Sequence, residues 1–141
     1  MAIGTVLLMV AIVSCLSSFA NAAQGLAVYY PPRNNNYLPS KCYGYQDNGW
    51  MVAGVSDALW NNGAACGRRY RVRCIGGANA APHPCKAGSV VVKVVDYCRS
   101  VCYGDINLSQ YAFSQIADVN AGKGLKFEAF LFGEEKMFIK H

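Results

Sequence analysis

The chain has seven cysteines in 141 residues, and their placement constrains the fold more than any other feature. Cys15 stands in an uncharged apolar run, residues 3–16, that is too short to span a bilayer comfortably. The run leads into the small residues Ala20, Asn21 and Ala22, which fit an A-x-A cleavage site. Residues 1–22 therefore read as a secretory signal peptide, cut near Ala22 or Ala23, with an uncleaved anchor as the alternative. The α-amino group supplies the positive charge at its start. Cleavage leaves Cys42, Cys66, Cys74, Cys85, Cys98 and Cys102. An even set in an oxidising compartment favours three disulfides, and the spacing lacks the paired CxxC and histidine ligands of a zinc site. Spacing alone does not choose among the pairings.

Two of these cysteines lie in residues 63–74, GAACGRRYRVRC. From Arg69 onward the residues alternate strictly: Arg69, Arg71 and Arg73 on one side of an extended chain, Tyr70, Val72 and Cys74 on the other. The pattern predicts a half-buried strand with one basic face. The net charge of +5 comes from 13 basic and 8 acidic residues, none of them in the leader. A basic secreted domain suits an acidic polysaccharide or a membrane surface. Nucleic acid is not expected as a partner, since the chain carries no nucleic-acid motif and is read as extracellular.

Along the chain, residues 26–30 (LAVYY) are β-prone and stop at Pro31 and Pro32. Residues 33–40 form a loop, and 42–49 turn at Asp47-Asn48-Gly49. Residues 51–53 suit a brief strand. Ser56 or Asp57 then caps a short helix through Trp60 that ends at Asn61, Asn62 and Gly63. Residues 75–88 are a Gly-, Ala- and Pro-rich loop. Residues 90–97 (VVVKVVDY) predict a central strand, its near-continuous valines suited to cover on both faces. Residues 108–117 predict one amphipathic helix, capped by Asn107 or Ser109, with Tyr111 and Ile116 on one face. Residues 125–132 supply a last strand, and 133–141 form an irregular tail. No repeat or linker divides residues 24–132. Short strands, many turns and one or two short helices predict an all-β domain, closed so that no edge is exposed.

Three segments together, MVAGVSDALWNNGAACGRRYRVRC (51–74), VVDYCRS (94–100) and GDINLSQYAFSQIA (104–117), resemble the plant natriuretic peptides, also called EG45-like domain proteins, which are one-domain relatives of expansins. The resemblance covers about residues 24–130. It implies a six-stranded double-psi β-barrel, secretion to the apoplast, and a systemic signalling role in water and solute homeostasis. It also implies disulfides joining Cys42 to Cys66, Cys74 to Cys85, and Cys98 to Cys102.

Glycoside hydrolysis in the related endoglucanases requires two carboxyl groups flanking the bond. The resemblance puts Asp96 at the first acidic position of the expansin groove, Asn107 at the second, and Val28 where the groove threonine stands. Asn107 cannot exchange a proton, so no enzymatic activity is expected. Asp105 shares the face of Asn107 only if this segment is a strand. Asp96 also has a purely structural reading, as an acceptor of backbone hydrogen bonds or a partner of an arginine such as Arg71. Among Tyr29, Tyr30, Tyr43, Tyr45, Trp50 and Trp60, most are expected to pack in the core or rim. Tyr43 and Tyr45, flanking Gly44, are the exposed candidates for a sugar face. Arg69, Arg71 and Arg73 form either a solvated face or a surface for a receptor or an anionic wall polysaccharide. His83 has no second histidine nearby, and neither metal nor cofactor is expected. The leading reading is a monomeric, secreted, non-enzymatic signalling protein acting through a cell-surface partner. The alternative is a non-hydrolytic binder of wall polysaccharide.

Overall fold

The structure is a computed structural model that describes residues 22–30, 38–78, 83–99, 104–122 and 124–133. Its elements are β1 (Ala23–Tyr30), β2 (Val52–Val55), α1 (Asp57–Trp60) with a following 3₁₀ turn (Asn61–Gly63), β3 (Arg69–Gly77), β4 (Val90–Tyr97), β5 (Ile106–Ser109), α2 (Gln110–Ile116) and β6 (Gly124–Leu131). The six strands close into a barrel in the order β1-β5-β2-β4-β3-β6, the double-psi architecture expected. Two pairings are parallel, β1 with β5 and β2 with β4. The other four are antiparallel. Parallel neighbours cannot be joined by a tight hairpin, so residues far apart in sequence meet side by side.

The inward side of each strand is apolar. Ala27, Val72, Val92, Val94, Leu108 and Phe127 meet in one cluster, and Phe113 and Ile116 of α2 join it. Phe113 and Phe127 are fully buried, each stabilising the fold by about 1.5–3 kcal/mol relative to exposure. In β3 the alternation holds: Tyr70 and Val72 are buried, Arg69 and Arg73 exposed, Arg71 half-buried. β4 is central in that it pairs with β2 and β3. Its cover is unequal, however: Val90, Val92 and Val94 are buried, whereas Val91 and Lys93 on the other side are half-buried.

Three expectations need correction. Strand β3 continues to Gly77, so residues 75–77, expected in the loop, are strand paired to β6. Leu108 and Ser109 belong to strand β5, and the helix starts at Gln110. Ser109 is its N-cap, the hydroxyl accepting the Ala112 N–H at 3.1 Å. The helix buries Ala112, Phe113 and Ile116, whereas Tyr111 is 53% exposed. Residues five apart on a helix lie about 140° around its axis, so Tyr111 and Ile116 cannot share a face. The first helix ends where expected, with Asn61, Asn62 and Gly63 all at positive φ. Ser56 precedes it without a side-chain cap.

Cys42 bonds Cys66 and Cys74 bonds Cys85. Cys98 is also in a disulfide; its expected partner Cys102 lies outside the described residues, as do the leader and the tail from Glu134 onward. Among the described residues no helix is long and apolar enough to cross a membrane.

Candidate functional site

Strand pairing assembles one row of side chains across four strands. Asp96 of β4 pairs with Gly54 of β2, Gly54 with Asn107 of β5, and Asn107 with Val28 of β1. Directly paired residues share a face of the sheet. On β1, β2 and β5 that face is the outer one, because the flanking Ala27, Ala53, Val55, Ile106 and Leu108 belong to the core. Asp96, Asn107 and Val28, expected at one groove from three separate segments, therefore stand together on one surface. Gly54 places no side chain between Asp96 and Asn107.

Asp96 reaches this surface through an irregularity. Ala53 pairs with Val94, but Gly54 pairs with Asp96, so β4 carries one extra residue. Strict alternation would turn Asp96 inward with Val92 and Val94; the inserted residue turns it outward. The carboxylate accepts the Lys41 backbone N–H at 2.8 Å, and the neighbouring Val95 carbonyl accepts the Cys42 N–H at 3.0 Å. Burial raises the Asp96 pKa above the ordinary carboxylate value, and the Lys41 N–H opposes that rise in part. The anticipated pairing with Arg71 is ruled out by register. Arg71 lies beside Val91, five residues along β4 and on the order of 16 Å from Asp96 at about 3.3 Å per residue.

Around this row the groups differ in accessibility. The Asn107 side-chain oxygen and the Tyr30 hydroxyl are buried. Burial raises the Tyr30 pKa; Ser109 lowers it and Asp96 adds to the rise, which places these three groups near one another. The Ser109 hydroxyl donates to the Trp50 carbonyl. Trp50 and Tyr111, 56% and 53% exposed, stand 6.4 Å apart between ring centroids. They form an exposed aromatic pair beside the row. Asp105 precedes the first residue of β5, and its Oδ2 accepts the Leu26 backbone N–H at 3.0 Å. Tyr29 packs on Phe113 at 4.7 Å, and Trp60 stacks on Tyr97 at 4.8 Å, so both rings are engaged within the fold.

The remaining expected residues lie elsewhere on the barrel. Tyr45 is 79% exposed, whereas Tyr43 is half-buried and carries the Lys93 ammonium 4.4 Å from its ring centroid. Arg69, Arg71 and Arg73 share the outer side of β3 with unequal surroundings. Arg73 forms an ion pair with Glu128. Arg71 donates to the Ser89 hydroxyl at 3.2 Å and lies 5.5 Å from the Phe132 ring centroid. Arg69 is paired in register with Lys93. The sequence carries no local signal that marks Lys41 or Lys93, and it offers Ser109 only as one of two candidate helix caps and Tyr111 only as a helix-face residue.

Comparison with known proteins agrees with this architecture. A family model described as lytic transglycolase matches residues 52–125. The chain is 50% identical over 126 residues to an EG45-like domain containing protein of Citrus jambhiri, covering 87% of this chain and 94% of that protein. It is 50% identical over 122 residues to EG45-like domain containing protein 2 of Arabidopsis thaliana, covering 86% and 91%. Among solved structures, the apo expansin of Clavibacter michiganensis superposes with a TM-score of 0.59 at 24% identity, over 78% of this chain and 50% of that one. A mutant of that expansin in complex with cellohexaose gives 0.58 at 26% identity over the same shares.

Proposed function

Because the chain belongs to the EG45-like domain family, an expansin-like group of double-psi barrels, we propose that it is a secreted, monomeric protein that binds wall polysaccharide without hydrolysing it. The observation that carries this reading is the composition of the outer row. Asp96 faces Asn107 across Gly54, and the nearby Asp105 is engaged with the β1 backbone. Two carboxyl groups astride a glycosidic bond are the usual requirement for hydrolysis, and the row offers one. Beside it, Trp50 and Tyr111 are exposed, and aromatic rings are surfaces on which a sugar ring packs its apolar face. Cellohexaose bound to an expansin of similar fold supports a glycan as ligand.

The test is a binding assay of the purified, oxidised protein on cellulose and on cello-oligosaccharides, with mass spectrometry of any soluble fragments. Binding without fragments is expected. Trp50→Ala with Tyr111→Ala should weaken it about tenfold, the effect of losing ~1.4 kcal/mol of ring contact. Fragment release that disappears in Asp96→Asn would refute the non-enzymatic reading.

A second reading, a signalling role in water and solute homeostasis through a cell-surface partner, is favoured by the outward arginines of β3. Protoplast swelling distinguishes it: undiminished swelling by a Trp50→Ala/Tyr111→Ala protein whose glycan binding is weakened would favour signalling.

A further inference from the structure

We propose that the groove between the 40–48 turn and the start of β3 binds a polyuronate, a polysaccharide whose sugar rings carry carboxylates, at a site separate from the Asp96 row. The groove is open to solvent along its length, offers about 620 Å³ and is lined by Tyr43, Arg68, Arg69, Lys93, Leu131 and Phe132. That volume lies in the range of ligand-holding clefts.

Its electrostatics are one-sided. Arg69 and Lys93 are direct cross-strand partners, an arrangement of like charges that destabilises a sheet, and Arg68 adjoins them in sequence. Among the described residues no acidic side chain lines the groove. Glu128, on the neighbouring strand, is engaged by Arg73. Lys93 is also held in place. The Lys93 ammonium donates to Asn48 Oδ1 at 2.9 Å and sits over the Tyr43 ring. Gly67 lets Tyr43 lie there, since a Cβ at that position would stand 2.8 Å from the Tyr43 hydroxyl. A fold that sets like charges opposite one another gains from a ligand that neutralises them.

The lining selects the ligand. Tyr43, Leu131 and Phe132 are apolar surfaces set among three cations, which matches a chain of rings with apolar faces and regularly placed carboxylates. Guanidinium groups bind carboxylates through paired, charge-assisted hydrogen bonds. An acidic peptide would satisfy the charge but makes less use of the ring surfaces.

The test is calorimetric titration of the oxidised, mature protein with an oligogalacturonate, a neutral cello-oligosaccharide and a polyglutamate peptide, at low and high salt. The oligogalacturonate should bind, more weakly at high salt. Arg69→Gln and Lys93→Gln should each weaken it about tenfold, as expected for loss of one charge-assisted contact. Arg69 is exposed, so its replacement leaves the core intact, and Arg69→Lys should restore part of the affinity. Arg73→Gln and Asp96→Asn should leave it unchanged, which separates this site from the one under Proposed function. Undiminished affinity in the Arg69→Gln/Lys93→Gln protein would overturn the proposal, as would equal affinity for polyglutamate.

Discussion

Removing the two described disulfides one at a time should cost similar stability but have different functional consequences. Cys42–Cys66 spans 24 residues and Cys74–Cys85 spans 11. Loop-closure entropy in the unfolded chain then assigns them about 3.4 and about 2.8 kcal/mol. At ~4 °C per kcal/mol for a domain of this size, the Tm should fall by about 14 °C and about 11 °C. The two losses are too close for stability to separate them. Function should separate them, because the 40–48 turn that Cys42 anchors supplies the Lys41 N–H to Asp96 and the Tyr43 wall of the basic groove. Among the described residues, the segment around Cys85 lines neither site. It keeps other attachments to α2 and the residues after it, through Lys86 N–H to the Ile116 carbonyl and Asp118 N–H to the Pro84 carbonyl. Cys42→Ala/Cys66→Ala should therefore weaken both cello-oligosaccharide and oligogalacturonate binding at temperatures where the protein remains folded. Cys74→Ala/Cys85→Ala should leave both affinities near wild type. Calorimetry for Tm and titration for affinity are the two assays. Loss of binding in the second protein and not in the first would refute the reasoning.

Two further substitutions probe the same turn and row. Gly67→Ala forces an alanine into φ +83° and a contact 2.8 Å from the Tyr43 hydroxyl, so urea unfolding should show a loss of at least ~1–2 kcal/mol, part of it recovered when Tyr43→Phe is added. Asp96→Asn should change how stability depends on pH: burial raises the Asp96 pKa above 3.8, so ionisation costs the folded state. The wild type is then relatively most stable below that ordinary value and loses stability as pH rises through the raised folded pKa. Asparagine has no such loss and still offers Oδ1 to Lys41, so the variant should gain on the wild type as pH rises from below 3.8; a wild type that gains instead refutes the sign.

Legibility in the sequence followed the range of the interaction. Strand β3 was legible because the alternation of Arg69 to Cys74 is local and one face is buried. The end of α1 was legible because Asn61, Asn62 and Gly63 are suited to positive φ. Strand β5 was missed: Ile106 and Leu108 run straight into the helical periodicity of α2, and only pairing with β1 and β2 makes them a strand. Lys93 attracted no notice because its meaning depends on Arg69 lying opposite, a fact of register. The row of Asp96, Asn107 and Val28 was anticipated from the family resemblance, and no local pattern in the chain would have assembled it.

The bulge in β4 ties these levels together. The valine run at residues 90–95 drives a strand into the barrel wall, and undisturbed alternation would carry Asp96 into the core, where an unpaired carboxylate is costly. The extra residue before Asp96 turns it to the outer row instead. It also leaves the Val95 carbonyl facing the turn, where it accepts the Cys42 N–H while Asp96 accepts the adjacent Lys41 N–H. Two successive backbone donors of the disulfide-anchored turn are thus matched to two successive acceptors of β4. The same turn then delivers Tyr43 to Lys93, three residues back along that strand. One inserted residue therefore connects the two candidate sites mechanically: the turn that half-buries Asp96 also walls the basic groove, and a change that shifts its seat on β4 must disturb both.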